Sequence, residues 1–105
     1  MEQALQAIAE PRRREILRLI WREERTVGDI ADQFDVTRPA ISQHLRVLKE
    51  AGLVAERRAG TRRFYRALPE GFAELRAYLE GFWDQRLEAL RDAAEAEEER
   101  ARDGE

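Results

Sequence analysis

Apolar side chains in the first part of the chain recur at the spacing of amphipathic helices. A first short stripe consists of Ala4, Leu5, Ala7 and Ile8. Because proline is tolerated in the first turn of a helix, a second helix is predicted from Pro11 to Arg22. Its apolar positions are spaced i, i+1, i+4 and i+5, which predicts a buried face. That face consists of Ile16, Leu17, Ile20 and Trp21.

Two more helices are predicted between residues 26 and 52, joined by a tight turn. Thr26 followed three residues later by Asp29 resembles a capping box at the start of the third helix. Its buried side consists of Val27, Ile30, Ala31 and Phe34. Thr37 is expected to cap the fourth helix, which has Pro39 in its first turn and ends at Gly52. Its buried side consists of Ile41, Leu45 and Leu48.

The pattern changes after Gly52. Residues 53–58 and 62–68 are extended runs on either side of Ala59-Gly60-Thr61, which predicts a β-hairpin with glycine in the turn. A hairpin that follows a helix-turn-helix is a wing. A long amphipathic helix is then predicted from Gly71 onward. Its apolar positions are Phe72, Leu75, Leu79, Phe82, Trp83, Leu87 and Leu90.

Together these elements predict a mainly α fold with a small β-hairpin. It is a winged helix-turn-helix with about five helices and a two-stranded wing. A length of 105 residues fits one domain. We assign residues 1–92 to this domain and residues 93–105 to an acidic C-terminal tail, either the end of the helix or disordered. The last helix has more apolar surface than so small a domain can cover, so a partner helix is expected.

The composition narrows the possible functions. The chain has no cysteine, which removes disulfides, thiolate metal sites and cysteine nucleophiles. It has one histidine, no glycine-rich phosphate loop and no recognisable catalytic constellation, so we do not expect an enzyme. No stretch approaches the roughly 18 apolar residues of a membrane span, and no signal peptide pattern precedes the first helix. A cytoplasmic protein is therefore expected.

The charge is unevenly distributed along the chain. Residues 36–68 carry eight Arg or Lys against two acids, whereas residues 69–105 carry five bases against twelve acids. The net charge of −3 conceals this separation. A basic segment beside an acidic one can orient one face of the protein toward phosphates, so double-stranded DNA is the expected partner.

Polar side chains that suit DNA lie off the apolar face of the fourth helix. Arginine pairs with guanine, glutamine pairs with adenine, and serine contacts either a phosphate or a base. The helix offers Arg38, Ser42, Gln43 and Arg46, while Thr37 can both cap it and touch a phosphate. On the wing, Arg58, Arg62 and Arg63 are closest to the hairpin tip, although strand alternation lets only about half of the wing arginines face DNA at once.

Three further arginines, Arg12, Arg13 and Arg14, open the second helix, where positive charges oppose the helix dipole. We therefore expect them to have partners, either acids of the same fold or a phosphate.

With these motifs in place, the chain resembles the ArsR/SmtB family of bacterial winged-helix transcriptional repressors. The residues that show the resemblance are Pro11–Leu17, Thr26–Ala31, Arg38–Leu45, Ala51–Val54, and Gly60, Arg62, Arg63 and Tyr65 on the wing. The family implies a homodimer, held by the first and last helices, with two recognition helices on one palindromic operator. It also implies that His44 lies near the DNA backbone or packs against the third helix.

The chain departs from the metal sensors of that family. These often carry Cys-Val-Cys-Asp-Leu at the start of the third helix, and the two cysteine positions are Thr26 and Gly28 here. Other members bind metal through histidines of the last helix, but residues 69–105 contain none. Zinc sites are built mainly from Cys and His, so no metal site and no cofactor are predicted. The chain resembles the metal-independent members, which often repress their own operon.

The aromatic and aliphatic residues of the terminal helices are predicted to form the dimer interface, because aromatic residues at helical spacing usually pack. They are Leu5, Ile8, Phe72, Leu75, Leu79, Phe82, Trp83, Leu87 and Leu90. One alternative is a sensor repressor that responds to an effector or metal through carboxylates or a pocket at the dimer interface. A winged-helix module for protein interaction is a further alternative, opposed by the basic helix and wing.

Overall fold

A computed structural model describes residues 1–104 of the chain. Five helices and three strands follow one another as α1 (Glu2–Ala9), α2 (Pro11–Ile20), β1 (Arg25–Thr26), α3 (Val27–Phe34), α4 (Arg38–Glu50), β2 (Val54–Ala59), β3 (Arg62–Ala67) and α5 (Pro69–Asp103). The five helices and the hairpin confirm the predicted winged helix-turn-helix.

Strands β2 and β3 form the predicted two-stranded wing, and a third strand that was not predicted, β1, extends the antiparallel sheet in the order β1-β3-β2. Strands β2 and β3 pair from Val54 with Ala67 up to Ala59 with Arg62, and Gly60 in the turn has φ of 63°. The added strand, β1, pairs Arg25 with Tyr65. It has only two residues, too few to show an alternating pattern in the sequence.

The core lies where α1 to α4 meet the sheet and the start of α5. Its fully buried large side chains are Ile16, Ile20, Ile30, Ile41, Leu45, Leu48, Leu53 and Val54. Trp21, which was predicted to belong to this core, is 47% exposed. Trp21 is the C-cap residue of α2 and still has a helical backbone, but one side of its ring lines an open cleft while the ring meets Phe72 edge-on with centroids 4.8 Å apart.

Arginines at the start of α2 hold the end of α1. The Nε of Arg13 donates to the Ala7 carbonyl at 2.7 Å, and Nη1 of Arg14 donates to the Ile8 carbonyl at 2.7 Å. These carbonyls belong to the last turn of α1, where they have no partner within the helix and where positive charge is favourable. Arg13 and Arg14 thus bind backbone carbonyls rather than acids of the fold, whereas Arg12 has the predicted acidic partner, Glu15, at 3.1 Å.

Gly52 terminates α4 as predicted and also sets the position of α5. With φ of 78°, Gly52 lies just past the helix, and the following Leu53 amide donates back to the Leu48 carbonyl at 3.0 Å. A Cβ placed on Gly71 would lie 2.1 Å from the Gly52 oxygen. The first turn of α5 can therefore pack against this turn only because residue 71 has no side chain.

Residues Met1–Leu75 form one compact unit, and the rest of α5, from Arg76 to Asp103, belongs to a second. Large apolar side chains of this second part are exposed within the single chain, among them Trp83 at 61% and Leu90 at 67%. Within residues 1–104, no helix is long and apolar enough to cross a membrane. The division at residue 92 stays a prediction, and Glu105, the last residue of the predicted tail, lies outside the described residues.

The residues predicted for the dimer interface differ in their exposure. Leu75 is 4% exposed and packs in the core of the compact unit, so it offers little surface to a partner. Leu5, Ile8, Phe72 and Leu79 are half-buried. The most exposed members are Phe82, Trp83, Leu87 and Leu90.

Candidate nucleic-acid interface

Local caps fix the two helices of the helix-turn-helix. The Thr26 hydroxyl accepts a hydrogen bond from the Asp29 amide at 3.2 Å, and the Thr37 hydroxyl accepts one from the Ala40 amide at 3.4 Å. Asp35 ends α3 in the left-handed conformation, with φ of 51°. The reversal between α3 and α4 therefore takes only three residues, 35–37, which sets the orientation of α4 in the compact unit.

The outer face of α4 is polar and exposed. Ile41, Leu45 and Leu48 are buried on the inner side, as their spacing predicted. Ser42, Gln43 and Arg46 lie away from this side and are exposed. Arg38 is spaced three and seven residues before Ile41 and Leu45, on the side of the buried face, but it is exposed at the N-terminal end of the helix. The exposed surface of α4 thus combines two guanidinium groups with hydrogen-bonding side chains that both donate and accept, which is the chemistry that reads base edges in a major groove.

His44 is half-buried and lies against α2 rather than α3. Its Nδ1 is 3.4 Å from Nη1 of Arg13. Burial lowers the pKa of His44 below its ordinary value of 6.5; Glu10 acts in the opposite direction, and the positive charges of Arg13 and Arg12 lower the pKa further. His44 thus contacts the residue that holds the end of α1.

The wing arginines lie on two faces of the hairpin. Because paired residues of an antiparallel sheet share a face, Arg57 and Arg62 lie on the side of Phe64. Their guanidinium carbons are 4.8 and 5.4 Å from the centre of its ring. Arg58 and Arg63 lie on the opposite face with Glu56. The three arginines predicted to contact DNA, Arg58, Arg62 and Arg63, therefore do not share one face.

Two acids that the sequence did not single out neutralise part of this charge. Glu24 accepts hydrogen bonds from Arg57, which lowers the pKa of Glu24. Glu56 accepts from Lys49 at 3.0 Å, and this bond, together with the nearby Arg63 and Arg58, lowers the pKa of Glu56. Strand alternation across a two-residue turn could have placed Glu56 beside Arg58 and Arg63, but nothing in the sequence indicates the contact between Glu24 and Arg57.

Three of the arginines predicted to contact DNA, on α4 and the wing, are not paired with an acid. Within residues 1–104, Arg38, Arg46 and Arg62 form no ion pair, whereas Arg57, Arg58 and Arg63 each do. A polar cleft of about 410 Å³ lies between the start of α3 and the wing tip. Arg38, Arg62 and Arg63 line it together with Asp29 and Asp32. The helix and the wing thus present cations to one region of the surface.

Across the part of the chain that the structure describes, no group of three or more His, Cys, Asp or Glu side chains is arranged to hold a metal ion. The positions that would be cysteines in the metal sensors have other roles here. Thr26 caps α3, and Gly28 lies against the Arg38 guanidinium.

The chain is similar in sequence to known regulators. The family described as "Bacterial regulatory protein, arsR family" matches residues 10–56. The HTH-type transcriptional regulator Rv2034 of Mycobacterium tuberculosis is 46% identical over 86 residues, which cover 82% of this chain and 80% of the relative. The transcriptional repressor SdpR of Bacillus subtilis is 40% identical over 65 residues, which cover 62% of this chain and 72% of that protein.

Solved structures agree with this relationship. An ArsR-like transcriptional regulator from Rhodococcus sp. RHA1 aligns with a TM-score of 0.77 and 32% identity, over 90% of each chain. The homodimeric winged helix-turn-helix DNA-binding domain of Mb0332 from Mycobacterium bovis aligns with a TM-score of 0.65 and 37% identity, over 79% of this chain and 77% of that one. On its sequence and its winged helix-turn-helix fold, the chain belongs to the ArsR family of bacterial transcriptional regulators.

Proposed function

We propose that this regulator binds a palindromic operator as a homodimer and represses transcription, including that of its own operon. The observation that supports this most directly is the exposed surface of α4, where Arg38 and Arg46 are accessible and form no ion pair among residues 1–104. Two such helices related by a two-fold axis would match two half-sites of a palindrome. A regulator of the bacterial chromosome would act in the cytoplasm.

In this proposal α4 and the wing have different tasks. Arg38 and Gln43 contact base edges, and Thr37, Ser42, His44 and Arg46 contact bases or the nearby backbone. The wing arginines act through phosphates or a narrow minor groove. Arg62 is the strongest wing candidate because Arg58 and Arg63 share Glu56, so their charge is partly neutralised.

The apolar residues of α5 support the proposed homodimer. Phe82, Trp83, Leu87 and Leu90 are 42 to 67% exposed in a single chain, and a contiguous apolar stripe of this kind is typical of an interface. The related domain of Mb0332 is itself homodimeric. We propose that Leu5, Ile8, Phe72 and Leu79 complete the interface, with the buried Leu75 supporting it from within.

An effector-responsive repressor is the second candidate, and one cavity favours it. An apolar cleft of about 660 Å³ lies between α1, α2 and the start of α5, with Leu17, Trp21 and Phe72 among its lining residues. A small apolar molecule bound there could alter DNA affinity. For metals we expect no such effect, since zinc sites rely on Cys and His. A stoichiometric nanomolar zinc site found by calorimetry would contradict this expectation.

Footprinting on the DNA upstream of the chain's own gene, followed by fluorescence anisotropy on the protected duplex and a scrambled duplex, tests the proposal. Arg38→Ala and Gln43→Ala should each cost about 1 to 3 kcal/mol on the protected duplex and relax the base preference there. Gln43→Ala should leave affinity for the scrambled duplex almost unchanged.

Equal affinity for both duplexes, unaffected by either substitution, would contradict sequence-specific binding and favour the protein-interaction module. Sedimentation of the same samples tests the dimer separately. A stable monomer at micromolar concentration would contradict it.

A further inference from the structure

Gly28 and Arg38 come closer than any other residue type at position 28 would permit. A Cβ built on Gly28 would lie 2.9 Å from Nη2 of Arg38 and 3.1 Å from its Cζ. Real Cβ atoms essentially never approach another heavy atom closer than 3.0 Å. The guanidinium of the first residue of α4 therefore occupies the space that a side chain on α3 would take.

The backbone of Gly28 does not itself require glycine. Gly28 is the second residue of α3, and only Gly52 and Gly60 among the described glycines have positive φ. In such a helical position alanine is more favourable than glycine, because glycine loses more conformational freedom on folding. Local structure alone would favour alanine here, so the close approach of Arg38 is the feature that explains glycine.

The position of the Arg38 guanidinium matters because of what surrounds it. It lines the same cleft as Arg62 and Arg63 of the wing tip. Arg38 is exposed and forms no ion pair within residues 1–104, and its guanidinium lies in the space beside Gly28. An arginine held in place before binding loses less side-chain entropy when it meets DNA.

We propose that Gly28 is a positioning residue for DNA recognition, which leaves the space that holds the Arg38 guanidinium beside the wing tip. This inference rests on the proposed function, because it assumes that Arg38 contacts DNA. Gly28 itself makes no contact with DNA in this proposal. A side chain at position 28 displaces Arg38 and lowers affinity only through it.

The test compares Gly28→Ala, Arg38→Ala and the double variant by fluorescence anisotropy, on the footprinted duplex and on duplexes with single base-pair changes. Ordering one long side chain is worth about 2- to 12-fold in affinity, so Gly28→Ala should lower affinity for the footprinted duplex by that factor. It should also weaken the base preference that Arg38→Ala weakens. In the Arg38→Ala background, the Gly28→Ala substitution should not change DNA affinity further. Because the displaced group is the far end of a flexible side chain, the thermal midpoint of Gly28→Ala should equal or exceed that of the parent protein.

Gly81→Ala is the matched control, since an added Cβ there meets nothing within 4 Å. Gly81→Ala should leave DNA affinity unchanged. Sedimentation checks that this variant is still a dimer. Three results would overturn the inference. The first is that Gly28→Ala lowers DNA affinity equally whether residue 38 is Arg or Ala. The second is that Gly28→Ala leaves DNA affinity unchanged although Arg38→Ala lowers it, and the third is that the Gly28→Ala protein does not fold. If Arg38→Ala itself has no effect, the proposed role of Arg38 fails, a result distinct from all three.

Discussion

The Nε of Arg57 lies 3.1 and 3.2 Å from the two carboxylate oxygens of Glu24, and this pair joins the wing to the segment that precedes α3. The Arg57 guanidinium also lies over the ring of Phe64, on the same side of the hairpin as Arg62. Two arginines of one wing face therefore differ in charge environment, since only Arg57 is held by an acid.

The first prediction follows from this difference. Arg62→Ala should weaken binding to operator and scrambled DNA alike and make the plot of log affinity against log salt shallower by about 0.9 per lost phosphate contact. Arg57→Ala should have a smaller effect, because its charge is already compensated by Glu24. Anisotropy at several salt concentrations measures both. A larger loss of affinity from Arg57→Ala than from Arg62→Ala, or a loss of affinity for operator DNA alone, would show that the wing has a different role.

The second prediction concerns the α1–α2 corner. Arg13 donates to the carbonyls of Ala7 and Gln6 at 2.7 and 3.2 Å. Arg13→Ala leaves the part-buried Ala7 carbonyl without this partner, while water can replace it at the exposed Gln6 carbonyl, so the substitution should lower the free energy of unfolding by about 1 kcal/mol. Arg13→Lys should recover only part of this, because an ammonium group cannot reproduce the planar fork. Denaturant unfolding at fixed protein concentration compares the free energies of unfolding of the parent protein and the two variants. Parent-like stability of Arg13→Lys would show that a positive charge alone is sufficient to hold this corner.

The third prediction tests the approach of α5 to the end of α4. A Cβ on Gly71 would be 2.1 Å from the Gly52 oxygen and 3.3 Å from Cδ2 of Leu53. The first of these atoms belongs to the backbone, so relief requires the helix or the turn to move. Gly71→Ala should therefore destabilise the protein by about 1 to 3 kcal/mol. Thermal unfolding beside Gly81→Ala checks this, and similar midpoints for the two variants would contradict the close packing.

The fourth prediction is a pH dependence that arises from His44. Burial lowers the pKa of His44 in the folded state below 6.5, so on acidification the unfolded chain takes up the proton first. The contribution of His44 to stability is therefore complete above pH 6.5 and declines as the pH falls below it toward the folded pKa. Between pH 7.5 and 5.5, the free energy of unfolding should fall more for the parent protein than for His44→Gln. Parallel curves would mean that His44 titrates alike in both states.

The sequence by itself determined the helices and most of the wing, because those features are local. Ile41, Leu45 and Leu48 recur at helical spacing, and burial of these residues leaves Gln43 and Arg46 on the outer side whatever else the chain does. The caps at Thr26 and Thr37 likewise depend on residues three positions away. The order and spacing of these motifs were also sufficient to identify the family.

The tertiary structure alone decided which charges are neutralised and which side chains meet across elements. Glu24 and Arg57 are 33 residues apart, and only the pairing of β1 with β3 brings their segments together. Trp21 has the spacing of a core residue yet is exposed at the C-terminal end of α2, where its neighbour is Phe72 of α5. The approach of Arg38 to Gly28 depends on the three-residue reversal between α3 and α4. Periodicity describes one element at a time, whereas these contacts depend on how separate elements pack.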